Sequence, residues 1–399
     1  MQSGWRVGTI FGIPLFVDNS WFFILFLLTF VYGGNLLNDG FPLPVAGVVG
    51  LSTALLLFGS VLLHELGHSL VARRQGIQVN SITLFLFGGI ASIDKESKTP
   101  GQAFQVAIAG PLVSFFLFLS LSALDLILPE QPLISQSVGT IAQLNLALTL
   151  FNLIPGLPLD GGQVLKAFVW KMTGSRAQGV RWAARVGQML GWTAITIGIY
   201  LFLTTQEIGL LWFALLGWFA VRNAGAYNRV SDLQDAIASL RARDASVREF
   251  KVIDANLTLR AFADNQLLDE NEKPAIYFAA SNGRYRGMVS LDDLRQIERS
   301  QWETMTLVEV AHPLLEVPYV REETPLSQVI TDLEENELRR ITVLSPADAV
   351  AGTIDRGDVV RALAKRLNFP ISEAIITRIK EEGAYPSGLQ LAAIARNAE

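Results

Sequence analysis

Long apolar runs fill the first part of the chain, and short alternating ones fill the rest. Six windows are apolar enough, over enough residues, to predict membrane-spanning helices: 19–36, 46–72, 102–128, 138–156, 183–203 and 207–222, the last being short. Beyond residue 225 the pattern repeats instead. Ile276-Tyr-Phe leading to Gly287-Met-Val-Ser290-Leu-Asp-Asp293-Leu is echoed 65 positions later by Ile341-Thr-Val leading to Gly352-Thr-Ile-Asp355-Arg-Gly-Asp358-Val. Each copy reads as strand, turn, strand and charged helix, preceded by an apolar helix near 259–267 or 326–333. The expected fold is a multi-domain membrane protein: an all-α six-span bundle with a small β element, followed by a soluble α+β pair of repeats.

Composition and charge sharpen this division. Half of the residues are apolar, 17% are charged and the mean hydropathy is +0.36. Residues 1–230 hold 12 Lys/Arg against 9 Asp/Glu, whereas residues 231–399 hold 20 against 28, so a weakly basic half precedes an acidic one. No Lys or Arg occurs between Arg6 and Arg73, between Lys98 and Lys166, or between Arg185 and Arg222. The basic connections therefore mark the cytosolic side, which puts both termini and the acidic half in the cytosol. Loops near Asp39, Glu130 and Glu207 then face outward. No small-residue cleavage site follows the first apolar run, so it reads as an anchor rather than a removable signal. The absence of cysteine excludes thiolate metal sites.

Two of the three histidines lie in His64-Glu65-Leu66-Gly67-His68, inside the second predicted span. Imidazoles four residues apart share one helix face, a spacing that suits zinc, and the glutamate beside them suits a general base. They precede Arg73 by nine and five residues, so at about 1.5 Å per residue they lie roughly 8–14 Å inside that end of the helix. A third ligand must come from the same depth. Asp39, Asp125, Glu130 and Glu207 belong to the outer side, Asp18 precedes the first span, and Asp94 and Glu96 sit in a polar loop with Lys95 and Lys98. Asp160 remains, in Asn152-Leu-Ile-Pro-Gly-Leu-Pro-Leu-Asp160-Gly-Gly162, whose prolines and glycines break the helix. A carboxylate there is costly unless ligated, and broken backbone at membrane depth is tolerated only around buried or water-lined sites. His64, His68 and Asp160 are thus the expected ligands of one Zn2+ per chain, with Glu65 as catalytic base. The third histidine, His312 beside Pro313, reads as a surface or linker residue.

These residues, together with Phe87-Gly-Gly89 and Ala109-Gly-Pro111, resemble the site-2 proteases, which are intramembrane zinc metalloproteases; the likeness spans about residues 5–225. It implies a zinc metalloendopeptidase that cuts a transmembrane helix near its cytosolic end. By this resemblance Asn152 holds the substrate or the developing oxyanion. The strand around 84–90, with Gly88 and Gly89, pairs with the unwound substrate, and Gly110 and Ser114 lie near the substrate path. The alternative is a CBS-regulated membrane transporter or channel in which the His/Asp cluster is structural or carries metal. Against it stand the lack of an inverted repeat in residues 1–225 and of other mid-span charges. A zinc hydrolase acting on a lipid or prenylated peptide also stays open, because the metal site does not specify the scissile group.

The repeat resembles a tandem pair of CBS domains, which implies an adenosine nucleotide bound between the copies through Ser290, Asp293 and Asp358. The second copy has Asp355 where a hydroxyl is usual, and another carboxylate repels phosphate, so at most one site is expected to fill. The expected organisation is a metalloprotease core at 1–225, a linker at 226–243, CBS domains at 244–310 and 311–368, and a tail at 369–399. Expected partners are a membrane-spanning protein substrate, the lipid bilayer, an adenine nucleotide and a second copy through the CBS pair, with no nucleic acid. The CBS pair is expected to gate the protease.

Overall fold

The computed structural model describes residues 4–86, 88–93, 97–127, 132–267, 276–386, 389 and 391–396; Phe87, Asp94, Glu96 and Glu130 lie outside them. The chain divides into two compact units at Ser231/Asp232.

The first unit contains α1 (Asn19–Asn38), α2 (Leu43–Arg74), α3 (Pro100–Ile127), α4 (Pro132–Asn152), α5 (Asp160–Thr173), α6 (Arg176–Thr205) and α7 (Leu211–Ser239). All but α5 are long and apolar enough to cross a membrane. Only 11–33% of each apolar window is buried within the protein, so most of its surface must meet another apolar phase, as lipid provides. The chain is a multi-pass membrane protein. Several helix ends depart from expectation: α4 and α6 begin at Pro132 and Arg176, ahead of the windows 138–156 and 183–203. Helix α4 stops at Asn152 because Pro155 has no N–H to donate and drives the residue before it out of helical geometry. Helix α7 runs through the expected linker as far as Ser239, and its end is held by Ala236 and Ile237, which are buried in the core of the second unit.

The small β element is a four-stranded sheet, in the order β1 (Trp5–Ile10), β2 (Ile13–Val17), β3 (Val79–Phe85) and β4 (Gly88–Ile93). Strands β2 and β3 are parallel, and the other neighbours are antiparallel. Phe11 and Gly12, at φ +50° and +77°, form the two-residue turn of the first hairpin. Ile13 and Ile82 pack on Leu66 of α2, which seats the sheet against the helix that carries the histidines. Strand β4 lies at the edge.

The second unit carries the repeat in its topology. Strands β5 (Phe250–Asp254), β6 (Ile276–Ser281) and β7 (Arg284–Val289) form one sheet, and β8 (Tyr319–Arg321), β9 (Arg340–Leu344) and β10 (Val350–Asp355) form another. In both, the first pair is parallel and the second antiparallel. The helices are α8 (Ala242–Ala245), α9 (Leu259–Phe262), α10 (Leu291–Gln296), α11 (Leu307–Val310), α12 (Leu326–Glu335), α13 (Arg356–Arg366), α14 (Glu373–Glu382) and α15 (Leu391–Arg396). Helix α9 gives way after one turn to a π-helical segment, Ala263–Leu267.

The repeat begins earlier than its strands. Helices α8 and α11 stand 65 residues apart and each opens with a carboxylate that accepts from the backbone N–H three residues before it, Asp244 from Arg241 N at 2.8 Å and Glu309 from Thr306 N at 2.7 Å. These leading segments are exchanged. Val247 pairs with Thr353 of the second copy, through N–H to O bonds of 3.0 and 2.9 Å, whereas His312 pairs with Met288 of the first, at 2.9 Å both ways. Ala242 accordingly lies in the second copy's core and Leu307 in the first's.

Candidate metal centre

Helix α2 buries His64, Leu66 and His68, with Glu65 half-buried between them. Gly67 lets α3 come close: a Cβ there would sit 3.0 Å from Ala109 O and 2.9 Å from Val113 Cγ2. At that separation α3 supplies a partner to each imidazole. His64 Nδ1 lies 2.9 Å from Ser114 Oγ, within hydrogen-bond distance, and His68 Nδ1 donates to Val106 O at 2.6 Å. Pro111 inside α3 has no N–H for Ala107 O, which loosens the helix beside Val106. With both Nδ1 atoms engaged, both Nε2 atoms are left to face the site.

Asp160 is brought to them by the loop between α4 and α5. Leu157 N donates to Ala183 O of α6 at 3.2 Å, and Gly156 abuts Gly187, so closely that a Cβ on Gly156 would lie 2.7 Å from Gly187 Cα. A Cβ on Gly162 would lie 2.6 Å from Gly156 O, so the start of α5 presses onto the same loop. Asp160 Oδ2 thereby lies 3.0 Å from His64 Nε2 and 3.3 Å from His68 Nε2, and the two Nε2 atoms are 3.3 Å apart. Tetrahedral zinc with bonds of about 2.0–2.1 Å sets its ligand atoms roughly 3.3 Å apart, so two imidazoles and one carboxylate at these distances fit the ion. Among the described residues this is the one group of three such donors.

Glu65 accepts no hydrogen bond among the described residues, and β4 lies directly against it: a Cβ on Gly89 would be 3.1 Å from Glu65 Cδ and 3.2 Å from Oε1. Gly88, at φ +135°, opens that strand. Gly110 clears room for the ligands, since a Cβ there would lie 2.6 Å from His64 Nε2. Ser114 is fully buried beside His64. Asn152 ends α4, half-buried, its side-chain amide without a hydrogen bond among the described residues, eight positions before Asp160.

In the second unit, Ser290 caps α10 without using its hydroxyl, and Asp293 pairs with His312 Nε2 while remaining 39% exposed. His312 is a surface residue, as expected, and contacts Asp293. Asp358 is enclosed: Lys380 Nζ lies 2.8 Å from it, Arg361 donates at 3.0 Å and Asp355 N at 3.1 Å. Lys380, from α14, also reaches Glu249 at 2.9 Å and Asp355 at 3.5 Å. Burial opposes its charge, but these carboxylates hold the Lys380 pKa above its ordinary value. The tail thus brings Lys380 onto Asp358 in the second copy, and His312 engages Asp293 in the first.

A profile of peptidase family M50 matches residues 52–137 and 127–194, and a CBS domain profile matches residues 308–365. The chain is 41% identical over 367 residues to sll0528 of Synechocystis sp., which is named as a zinc metalloprotease; the match covers 91% of this chain and 96% of that one. It is 33% identical over 368 residues to Rip3 of Mycobacterium tuberculosis, likewise named, covering 91% and 93%. Among solved structures, a Site-2 Protease from Methanocaldococcus jannaschii is 30% identical with a TM-score of 0.40, over 56% of this chain and 95% of that one.

Proposed function

The chain belongs to peptidase family M50, the site-2 proteases, and on that premise we propose that it cuts a transmembrane helix near its cytosolic end and that its CBS pair regulates the cut. The observation that carries the reading is the convergence of His64 Nε2, His68 Nε2 and Asp160 Oδ2 beside the unengaged carboxylate of Glu65. Zinc held by these three atoms supplies a Lewis acid for the scissile carbonyl and for water. Glu65 takes the proton of the attacking water and passes it to the leaving amine. Asn152 donates its amide to the substrate carbonyl as negative charge develops. A transmembrane helix must unwind to be cut. The free edge of β4, lying against Glu65, offers it replacement backbone bonds and sets the strand beside the base. Water reaches the site past the broken backbone between α4 and α5. The charge pattern supports the orientation with Arg73, Arg74 and the second unit in the cytosol.

Ser290, whose hydroxyl is not used in capping, and the part-exposed Asp293 support an adenine nucleotide at the first repeat; the ion cluster around Asp358 disfavours one in the second. Cleavage of a single-span reporter in vesicles tests the chemistry. Glu65→Gln is expected to slow it at least about 100-fold, the scale of a lost general base, with zinc retained. Cleavage at the wild-type rate would overturn the assignment.

A further inference from the structure

Beside the metal loop runs a groove of about 470 Å³, lined in part by Leu153, Pro155 and Gly161 of that loop and the start of α5. Its walls are apolar, with Phe104 of α3, Leu153 of the loop, and Val164 and Phe168 of α5. Its inner end is Gly161, next to Asp160, and its outer end is Lys171, ten residues along α5. At about 1.5 Å per residue the groove is therefore roughly 15 Å long, running from the depth of the metal ligands to the end of α5. Lys171 is exposed and has no ion-pair partner among the described residues. The first turn of α3, at Pro100 and Gly101, opens on the same groove and brings the positive end of that helix to it. Lys98, also exposed, lies two residues upstream.

We propose that this groove is a site for one anionic phospholipid, with an acyl chain along Val164 and Phe168 and its phosphate on Lys171. An apolar slot with a single cation at its end matches a chain joined to a negative headgroup, and it is a poor match for a soluble ligand, which would need polar groups along its length. An apolar substrate side chain would use the inner end but would have no need of Lys171. The acyl chain lies against Leu153 and Gly161, the chain neighbours of Asn152 and Asp160, so the lipid braces the loop that presents the third ligand.

Native mass spectrometry of the full-length protein tests this, with phosphatidylglycerol and phosphatidylcholine offered in equal amounts. The wild type is expected to retain one phosphatidylglycerol per chain, preferred roughly fivefold over phosphatidylcholine, the scale of one basic residue at a headgroup. Lys171→Gln, at the exposed end of α5, is expected to lose the preference, and Val164→Trp, which fills the slot, to lose the retained lipid. Zinc content and thermal unfolding show whether Val164→Trp is folded; if it is not, Lys171→Gln decides alone. Equal retention of both lipids by the wild type, or an unchanged preference in Lys171→Gln, would overturn the proposal and leave the groove to a substrate side chain.

Discussion

Ser114 is 50 residues from His64 in the chain and 2.9 Å from it in space. Its hydrogen bond with Nδ1 holds the plane of the ring, so Nε2 points where Asp160 Oδ2 lies. Removing such a support lowers metal affinity about 10- to 100-fold without removing a ligand. Ser114→Ala is expected to lose zinc to a competing chelator within that range while its helices stay intact. Wild-type affinity would mean that the ring is held by α3 packing alone. The sequence makes His64, Glu65, His68 and Asp160 legible because helical spacing and membrane depth are both one-dimensional properties. The work of Ser114, by contrast, depends on how near α3 comes to α2, which Gly67 and Gly110 decide and no periodicity records.

Among the elements, α6 has a duty its apolar pattern does not announce. It carries Ala183 and Gly187, the surface on which the Asp160 loop rests. A Cβ on Gly187 would lie 3.0 Å from Leu157 N and press on Leu157 O, both backbone atoms that cannot swing away. Gly187→Leu is therefore expected to displace the loop and release zinc while histidine mutants' other defects, such as an emptied imidazole face, are absent. Retention of zinc would show that the loop is set by α5 alone. The first three spans were readable to within about three residues, because apolar length is what a bilayer demands, whereas α4 and α6 each begin several residues before their apolar windows. The β1–β2 hairpin was not readable, since its alternation is brief and abuts the first span, where apolar residues are expected anyway. Nor was the full length of α7: its polar second half is held by Ala236 and Ile237 in a core formed by residues distant in sequence.

For the molecule as a whole, the exchange of leading segments makes the two repeats one folding unit. A chain ending at residue 310 is expected to lose the first repeat as well as the second, because Met288 loses His312 and α8 loses β10. Limited proteolysis of that truncation should cut throughout residues 242–310, whereas a protected first repeat would contradict the exchange. The offset of 65 was visible in the sequence, but the partner of each copy was not, since identical patterns do not say which sheet they join. The same applies to α14, whose Lys380 joins Glu249 to Asp355 and Asp358 across more than 100 residues. What the chain does still depends on three atoms in the membrane unit. Elemental analysis of purified wild type, Glu65→Gln and Asp160→Ala measures this most directly. The account predicts about one zinc per chain in the first two and a marked loss in the third, since a tetrahedral site with an open position needs three protein ligands. A folded wild type that takes up no zinc when supplied with it, or an Asp160→Ala protein that keeps it fully, would contradict the account.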